Sequence, residues 1–140
     1  MIVAIVAQAL SFLQKRSELS SDLSLTKSGA TVVSDTLQYI NTNLSEPFDV
    51  SKLADRVYLS RGYFTELFRR YTGFSPAQYV RRMRVNNVVR KLAEGKLTVL
   101  EAALASGFTS SSGFYKSFES IYKMPPIEYL REFYANIPHE

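Results

Sequence analysis

The chain contains no cysteine and only one histidine, His139, which lies next to the C-terminal residue. Without cysteine there is no disulfide and no thiol chemistry, so the redox compartment is not indicated. A zinc site and a histidine-based triad would lack their usual ligands and base. We therefore expect a protein that is not an enzyme and that holds no metal or cofactor.

A hydrophobic run long enough to cross a membrane is also absent. The most apolar stretch, Met1–Leu13, is too short to span a bilayer. No Lys or Arg precedes it, although a secretion signal needs one. We expect a cytoplasmic protein that does not enter a membrane. The stretch indicates a helix or strand from the end of an upstream domain, or a segment that pairs with another chain.

The net charge of +4 is spread unevenly along the 140 residues. Between Arg56 and Lys96 there are ten basic residues and two acidic ones, Glu66 and Glu94, which gives +8 and leaves −4 for the remainder. Such asymmetry favours a surface that faces a polyanion. Taken alone, the same residues would fit an ordinary solvated helix face.

One pattern of residues occurs twice in the chain. The first copy comprises Ala54, Leu59, Ser60, Phe64, Phe68, Pro76, Tyr79 and Arg81. The second comprises Ala103, Phe108, Thr109, Phe114, Phe118, Pro126, Tyr129 and Arg131. Corresponding residues of the two copies are 49 positions apart up to Ser60 and 50 positions apart from Phe64 onward. The second copy is therefore predicted to carry one extra residue within Ser110–Ser112. A repeat of this length indicates two copies of one supersecondary structure.

Each copy is typical of a helix, a tight turn and a second helix, the arrangement that places a helix in the DNA major groove. Apolar spacing predicts seven helices between Val32 and Tyr134 and an all-α fold, with two helix-turn-helix subdomains joined by a long linker helix. We expect an N-terminal segment and linker at 1–31 and a domain at 32–140. The parts of that domain are a first helix-turn-helix unit at about 49–72, a linker helix at 75–94 and a second unit at about 98–122.

Local residues predict how these helices begin and turn. Ser60 caps the second helix of the first copy, and Thr109 or Ser110 does so in the second copy. Tyr58 stands at the turn position that Gly107 fills in the second copy, so a positive φ there would strain it. A linker helix of about 20 residues would be roughly 30 Å long. That length is close to the spacing of about 34 Å between successive major-groove faces, so one chain could engage two adjacent segments.

Residues Thr36–Phe133 resemble the C-terminal DNA-binding domain of the AraC/XylS family of bacterial transcription regulators. The first-copy motifs that carry the resemblance are Leu53-Ala54, Leu59-Ser60, Tyr63-Phe64-x-x-Leu67-Phe68-Arg69, Gly73-Phe74-Ser75-Pro76-x-x-Tyr79, Arg82-x-Arg84 and Lys91-Leu92. Those of the second copy are Ala103-x-x-x-Gly107-Phe108, Ser112-Gly113-Phe114-x-x-x-Phe118 and Pro125-Pro126-x-x-Tyr129.

The resemblance implies a sequence-specific regulator that binds double-stranded DNA, and an activator that touches RNA polymerase beside a promoter. Family members usually carry a sensor or dimerisation domain before this one. Residues 1–31 would then be a remnant of such a domain, and the chain would be a fragment of a larger regulator or a stand-alone one. A dimer formed through the N-terminal region is left open, as is an adaptor role in which the basic face binds nucleic acid or acidic partners without sequence preference.

The resemblance also implies which side chains meet DNA. The positions are Arg61, Gly62, Thr65, Glu66, Arg69, Arg70, Ser111, Ser112, Tyr115 and Lys116, with Arg82 and Arg84 on the linker helix. Arg70 is expected to touch phosphate, and Arg84 is not expected to read a base. Glu66 could accept from cytosine N4 or pair with Arg69 or Arg70 on its own helix. The second surface, with three serines, is expected to contribute phosphate contacts and shape readout.

Overall fold

The computed structural model describes residues 28–133, and within that range every regular element is an α-helix. The expected all-α architecture with seven helices is confirmed for this part of the chain. The helices are α1 Gly29–Thr42, α2 Val50–Arg56, α3 Arg61–Thr72, α4 Pro76–Ala93, α5 Val99–Ala105, α6 Ser111–Tyr122 and α7 Pro126–Phe133. The apolar stretch Met1–Leu13 lies outside the described residues.

The described residues divide into two units, and the chain passes between them more than once. The first unit contains the residues up to Thr42 together with Phe48–Tyr79. The second contains Asn43–Pro47 and the residues from Val80 onward. The short segment Asn43–Pro47 therefore belongs to the second unit, although the helices on either side of it belong to the first.

Aromatic side chains of α3 form the centre of the first unit. Phe64 and Phe68, one helical turn apart, are fully buried, and their ring centroids lie 5.9 Å from each other. The ring of Tyr79 meets Phe68 edge-on at 5.7 Å, and Asn41 Nδ2 donates a hydrogen bond to the Tyr79 hydroxyl at 3.0 Å. Burial raises the pKa of that hydroxyl, and the hydrogen bond from Asn41 partly counteracts the rise. Val33 of α1 is fully buried in the same unit.

The second unit repeats this packing with its own residues. Phe114 and Phe118 are fully buried, at 5.8 Å between ring centroids, and Tyr129 meets Phe118 edge-on at 5.4 Å. Val85 and Val88 of α4 close this core from the linker helix. The two phenylalanines and the tyrosine correspond in order to those of the first unit, so the sequence repeat is also a repeat of packing.

The second helix of each helix-turn-helix motif, α3 in the first unit and α6 in the second, begins at a serine cap. Ser60 Oγ accepts from the Tyr63 amide at 3.3 Å, and Ser110 Oγ accepts from the Gly113 amide at 3.1 Å. The cap of the second unit is thus Ser110 rather than Thr109. Counting from cap to cap, the extra residue of the second copy is Thr109, in the turn before the cap. The prediction that it falls within Ser110–Ser112 was therefore wrong, because helix α6 starts directly after Ser110.

Helix α1 starts at Gly29, earlier than the expected start near Val32. Ser28 accounts for the difference, because its hydroxyl accepts from the Thr31 amide at 3.2 Å and caps the helix. Ala30 is buried and extends the apolar face by one turn. The helix ends at Thr42, so Leu44 lies beyond it.

Left-handed backbone occurs at matching positions of the two units. Tyr58 has φ 59° and Gly107 has φ 99°, so the positive φ suspected at the first turn is confirmed. The helices that follow, α3 and α6, are each capped at the C-terminal end by a left-handed residue, Gly73 with φ 81° and Lys123 with φ 59°. At each of these two matching positions, one unit has glycine and the other has a residue with a Cβ. A Cβ in left-handed backbone costs about 1–2 kcal/mol.

Replacing Tyr58 by glycine should raise the free energy of unfolding by about 0.5–1 kcal/mol, because relief of the left-handed strain exceeds the added entropy of the unfolded chain. The side chain is 94% exposed, so little packing is lost. Urea denaturation of the wild type and of Tyr58→Gly measures the change. Tyr58→Ala is the control, since it removes the ring but keeps a Cβ at positive φ. An equal gain from both variants would contradict the backbone explanation.

Candidate nucleic-acid interface

Helix α3 has a buried face and an exposed face. Phe64, Leu67 and Phe68 are buried, which fixes the rotation of the helix against its unit. The sequence-predicted site residues lie on the remaining surface, where Thr65 is half-buried. The others are exposed: Arg61, Gly62, Glu66, Arg69 and Arg70. The structure therefore brings all the predicted residues of the first unit to one accessible side of a single helix.

The charged groups on α3 are not all equivalent. Glu66 Oε1 and Arg70 Nη2 form an ion pair of 3.3 Å, with side chains 70% and 68% exposed. Of the partners considered for Glu66 on its own helix, Arg70 is the one observed. The guanidinium groups of Arg61 and Arg69 make no hydrogen bond or ion pair with any residue in 28–133. These two arginines are available to an external anion or base.

Helix α6 presents a less basic surface. Its buried face is formed by Phe114 and Phe118, and its opposite side carries exposed Ser112, Tyr115 and Lys116. Ser111, the remaining predicted residue, is half-buried in the first turn. The ring of Tyr115 lies against Phe114 with 5.6 Å between centroids, yet the residue is 40% exposed. It covers the edge of the core and also reaches solvent.

Several bases of the positively charged stretch are engaged within the protein. The Arg56 guanidinium carbon stands 3.5 Å above the centre of the Tyr39 ring. Arg90 donates a hydrogen bond to Asn87 Oδ1. Arg82 is half-buried and has an interaction partner of its own. Arg56 and Arg90 nevertheless remain exposed, so these contacts restrict the orientation of the side chains without removing their charge from the surface.

Arg84 has a structural role in the second unit. Its Nε donates to the Leu44 carbonyl oxygen at 3.0 Å, and its Nη2 donates to the Glu46 carbonyl oxygen at 2.7 Å. Partial burial lowers the pKa of the guanidinium. These bonds hold the segment Asn43–Pro47 against α4. That Arg84 does not read a base stays a prediction. Sequence reasoning did not identify Leu44 and Glu46 as its partners, because a bond across about 40 positions leaves no local pattern.

Gly107 packs directly against this arrangement. A Cβ at residue 107 would collide with the Leu44 carbonyl oxygen and would lie 2.6 Å from Arg84 Nε. The turn of the second unit thus requires glycine for its positive φ and for the space that the Arg84 hydrogen bond occupies. The same turn in the first unit ends in solvent, which is why Tyr58 is accommodated there.

Two exposed tyrosines near α3 were not among the predicted site residues. Tyr58 in the turn is 94% exposed, and Tyr63 in the first turn of the helix is 56% exposed. The position of Tyr63 outside the apolar stripe of Phe64, Leu67 and Phe68 was a signal in the sequence for its exposure. An aromatic ring with a polar tip in this position suits a surface that is covered on binding.

Other kinds of site find no support in the described part of the chain. Among residues 28–133 there is no group of three or more His, Cys, Asp or Glu side chains that could bind a metal. None of the helices in that range combines the length and the apolar character needed to cross a bilayer.

Comparison with known proteins agrees with this geometry. Residues 53–132 match the family described as a helix-turn-helix domain. The transposon Tn10 TetD protein of Escherichia coli is 34% identical over 101 residues, which cover 72% of this chain and 73% of TetD. The chain belongs to the AraC/XylS family of transcription regulators. The matched part of this family is a DNA-binding domain and not an enzyme.

Further AraC-type proteins show the same relationship. The melibiose operon regulatory protein of Escherichia coli K12 is 32% identical over 99 residues, 71% of this chain but 33% of that protein. The chain therefore spans about a third of the length of that relative. Among solved structures, the DNA-binding domain of AdpA in complex with a target DNA is 30% identical with a TM-score of 0.69. That match covers 77% of this chain and 97% of the AdpA domain.

Replacing Arg84 by methionine should lower the free energy of unfolding by about 1–3 kcal/mol, because two backbone carbonyls lose their donor. Methionine retains much of the apolar stem, so the change tests the hydrogen bonds more than the packing. Arg81→Met, at an exposed position of the same helix, is the matched control and should stay close to wild type. Chemical denaturation that gave equal losses for the two variants would contradict a structural role of Arg84.

Proposed function

We propose that this protein is a sequence-specific regulator of transcription that inserts α3 and α6 into adjacent segments of the major groove of double-stranded DNA. The observation that carries the proposal is the exposed face of α3, with the unengaged guanidinium groups of Arg61 and Arg69 opposite a fully buried face. The AdpA domain, a relative with a TM-score of 0.69, is described in complex with a target DNA, which supports the proposal.

Each helix contributes a different kind of contact in this proposal. Arg61, Thr65 and Arg69 approach base edges, because arginine pairs with guanine and the threonine methyl packs on thymine. Arg70 and Arg82 approach phosphates, which fix register without reading sequence. Gly62 has open space around its Cα and lets the backbone come close to the groove.

The second unit is proposed to bind chiefly through phosphates and through the shape of the duplex. Helix α6 offers hydroxyl groups and one lysine at its predicted contact positions, which are Ser111, Ser112, Tyr115 and Lys116. Hydroxyl donors and a single ammonium group suit phosphate oxygens, which such side chains commonly contact. Unequal contributions of the two units would allow an operator that is not palindromic.

The linker helix sets the proposed spacing. Helix α4 has 18 residues, which corresponds to about 27 Å at 1.5 Å per residue. Successive major-groove faces on one side of B-DNA are about 34 Å apart, a distance of the same order. We propose that a single chain occupies both groove segments, where many helix-turn-helix proteins require a dimer.

Activation through contact with RNA polymerase is the regulatory role we propose, by analogy with the AraC/XylS family. Action in the cytoplasm on nucleoid DNA, and a dimer formed through the N-terminal region, belong to the same proposal. The competing role is an adaptor whose basic surface binds nucleic acid or acidic proteins without sequence preference.

Selection of bound sites from a random DNA pool, followed by salt titration with selected and scrambled duplexes, tests the proposed function. A sequence-specific protein should enrich one motif and keep its preference for that motif as salt rises. A protein bound by charge alone should lose affinity for both duplexes in parallel. A parallel loss of affinity for both duplexes, together with a pool in which no motif is enriched, would support the adaptor role instead.

Arg69→Ala should weaken binding to the selected site by about 1–3 kcal/mol and relax the preference at one base pair, because the lost contact is to a base. Lys116→Ala is the comparison, since its proposed phosphate contact is expected to weaken all sequences alike. Fluorescence anisotropy with the selected site and its single-base variants measures both effects. Uniform loss for Arg69→Ala would assign that arginine to phosphate.

A further inference from the structure

Glu66 is an unexpected residue for a surface that meets DNA. It is the sole acidic residue of α3, and between Arg56 and Lys96 only Glu94 shares its charge. Its side chain is 70% exposed on the same side of the helix as Arg69. A carboxylate that approaches the duplex is repelled by the phosphates, so its position lowers affinity unless a specific contact compensates.

Stability of the protein does not explain the presence of this carboxylate. Its ion pair with Arg70 joins neighbouring turns of one helix, and both side chains are about two-thirds exposed. Exposed pairs of this kind contribute little to folding. The pair has a geometric consequence, however, because Arg70 Nη2 holds Glu66 Oε1 at 3.3 Å and limits the rotation of the carboxylate.

The second carboxylate oxygen is available to a ligand. Within residues 28–133, Glu66 Oε2 makes no hydrogen bond. An ionised carboxylate only accepts hydrogen bonds and has about four lone-pair sites, of which the Arg70 contact uses one. Gly62, one turn before Glu66 on the same face, has no side chain and nothing within 4 Å of its Cβ position. No side chain at residue 62 therefore competes with Glu66 for the base edges beneath it.

We propose that Glu66 is a specificity-determining residue that accepts a hydrogen bond from the N4 amino group of a cytosine in the major groove, while Arg70 holds its carboxylate in place. This inference rests on the proposed function and adds the base that one position of α3 selects.

The donor pattern of the bases favours cytosine. Guanine presents two acceptors, N7 and O6, and thymine presents the acceptor O4, so both repel a carboxylate. Adenine offers its N6 amino group, but the N7 acceptor lies beside it. Cytosine offers the N4 donor without a neighbouring acceptor on the same base. A fixed acceptor at Glu66 thus rejects guanine and thymine strongly and adenine partly.

Arg69 extends this reading to the next base pair. Residues 66 and 69 are three positions apart on the exposed side of α3, so their side chains can reach different base pairs. With Arg69 bonded to a guanine, the two side chains specify a cytosine and a guanine at neighbouring base pairs. The first unit should therefore contribute a G·C-rich step to the selected site.

The test compares the wild type with Glu66→Ala and Glu66→Gln by selection from a random pool and by affinity for every base at the cytosine position. Discrimination against the wrong bases should fall by about 5- to 100-fold in Glu66→Ala, the range expected for loss of one good base contact. Glu66→Gln should move the preference toward adenine, because an amide pairs with adenine N6 and N7. Both variants should bind mismatched sequences more tightly than the wild type does, because they lack the carboxylate that the DNA phosphates repel.

Glu94→Gln is the matched control. It removes the same charge from an exposed residue just beyond α4, which is not among the predicted contact positions. It should change affinity for all sequences alike and leave every base preference intact. Circular dichroism of each variant checks that the fold is retained, which the exposure of both glutamates favours.

The outcomes separate the inference from the proposed function. Relaxation at one cytosine position in Glu66→Ala, absent from Glu94→Gln, supports the inference. An equal rise in affinity for all sequences, or relaxation at a guanine, thymine or adenine, overturns it while leaving sequence-specific binding intact. A wild-type protein that enriches no motif overturns both, because no base is then selected.

Discussion

The burial of two phenylalanines one turn apart on α3 is the constraint on which the candidate interface depends. Phe64 and Phe68 are fully buried and fix the rotation of the helix about its axis. Every other residue of α3 then has its direction assigned by the helical period of 3.6 residues. The exposed arginines and Glu66 lie on the outer side for this reason, without any long-range contact of their own.

The same constraint operates in the second unit with a different result. Phe114 and Phe118 bury the corresponding face of α6, and serine caps begin both helices. A shared scaffold thus carries two unlike outer surfaces, one rich in arginine and one rich in hydroxyl groups. Packing requires the inner residues to match between the copies, but it places no such requirement on residues that face solvent.

The turns show how tertiary contacts decide which residues a repeat can keep. Both units have left-handed backbone in the turn before the recognition helix, at Tyr58 before α3 and at Gly107 before α6. In the second unit, Leu44 and Arg84 lie so close that a Cβ has no room. In the first unit the residue is almost fully exposed, so the backbone strain of Tyr58 is the main cost. Identical backbone geometry therefore tolerates tyrosine in one copy and excludes it in the other.

The sequence by itself determined the helices, the repeat and the exposed side of α3, because these follow from periodic apolar residues, caps and breakers within a few positions of one another. It misplaced the extra residue of the second copy by at least one position, since Thr109 and Ser110 are both competent caps. It also named Arg70 as one of two possible partners of Glu66, because that contact lies within a single helix. Tertiary structure alone decided that Arg84 binds the carbonyls of Leu44 and Glu46. Such choices depend on which groups approach in three dimensions, and an arginine has the same local signature whether it faces a carbonyl, a carboxylate or solvent.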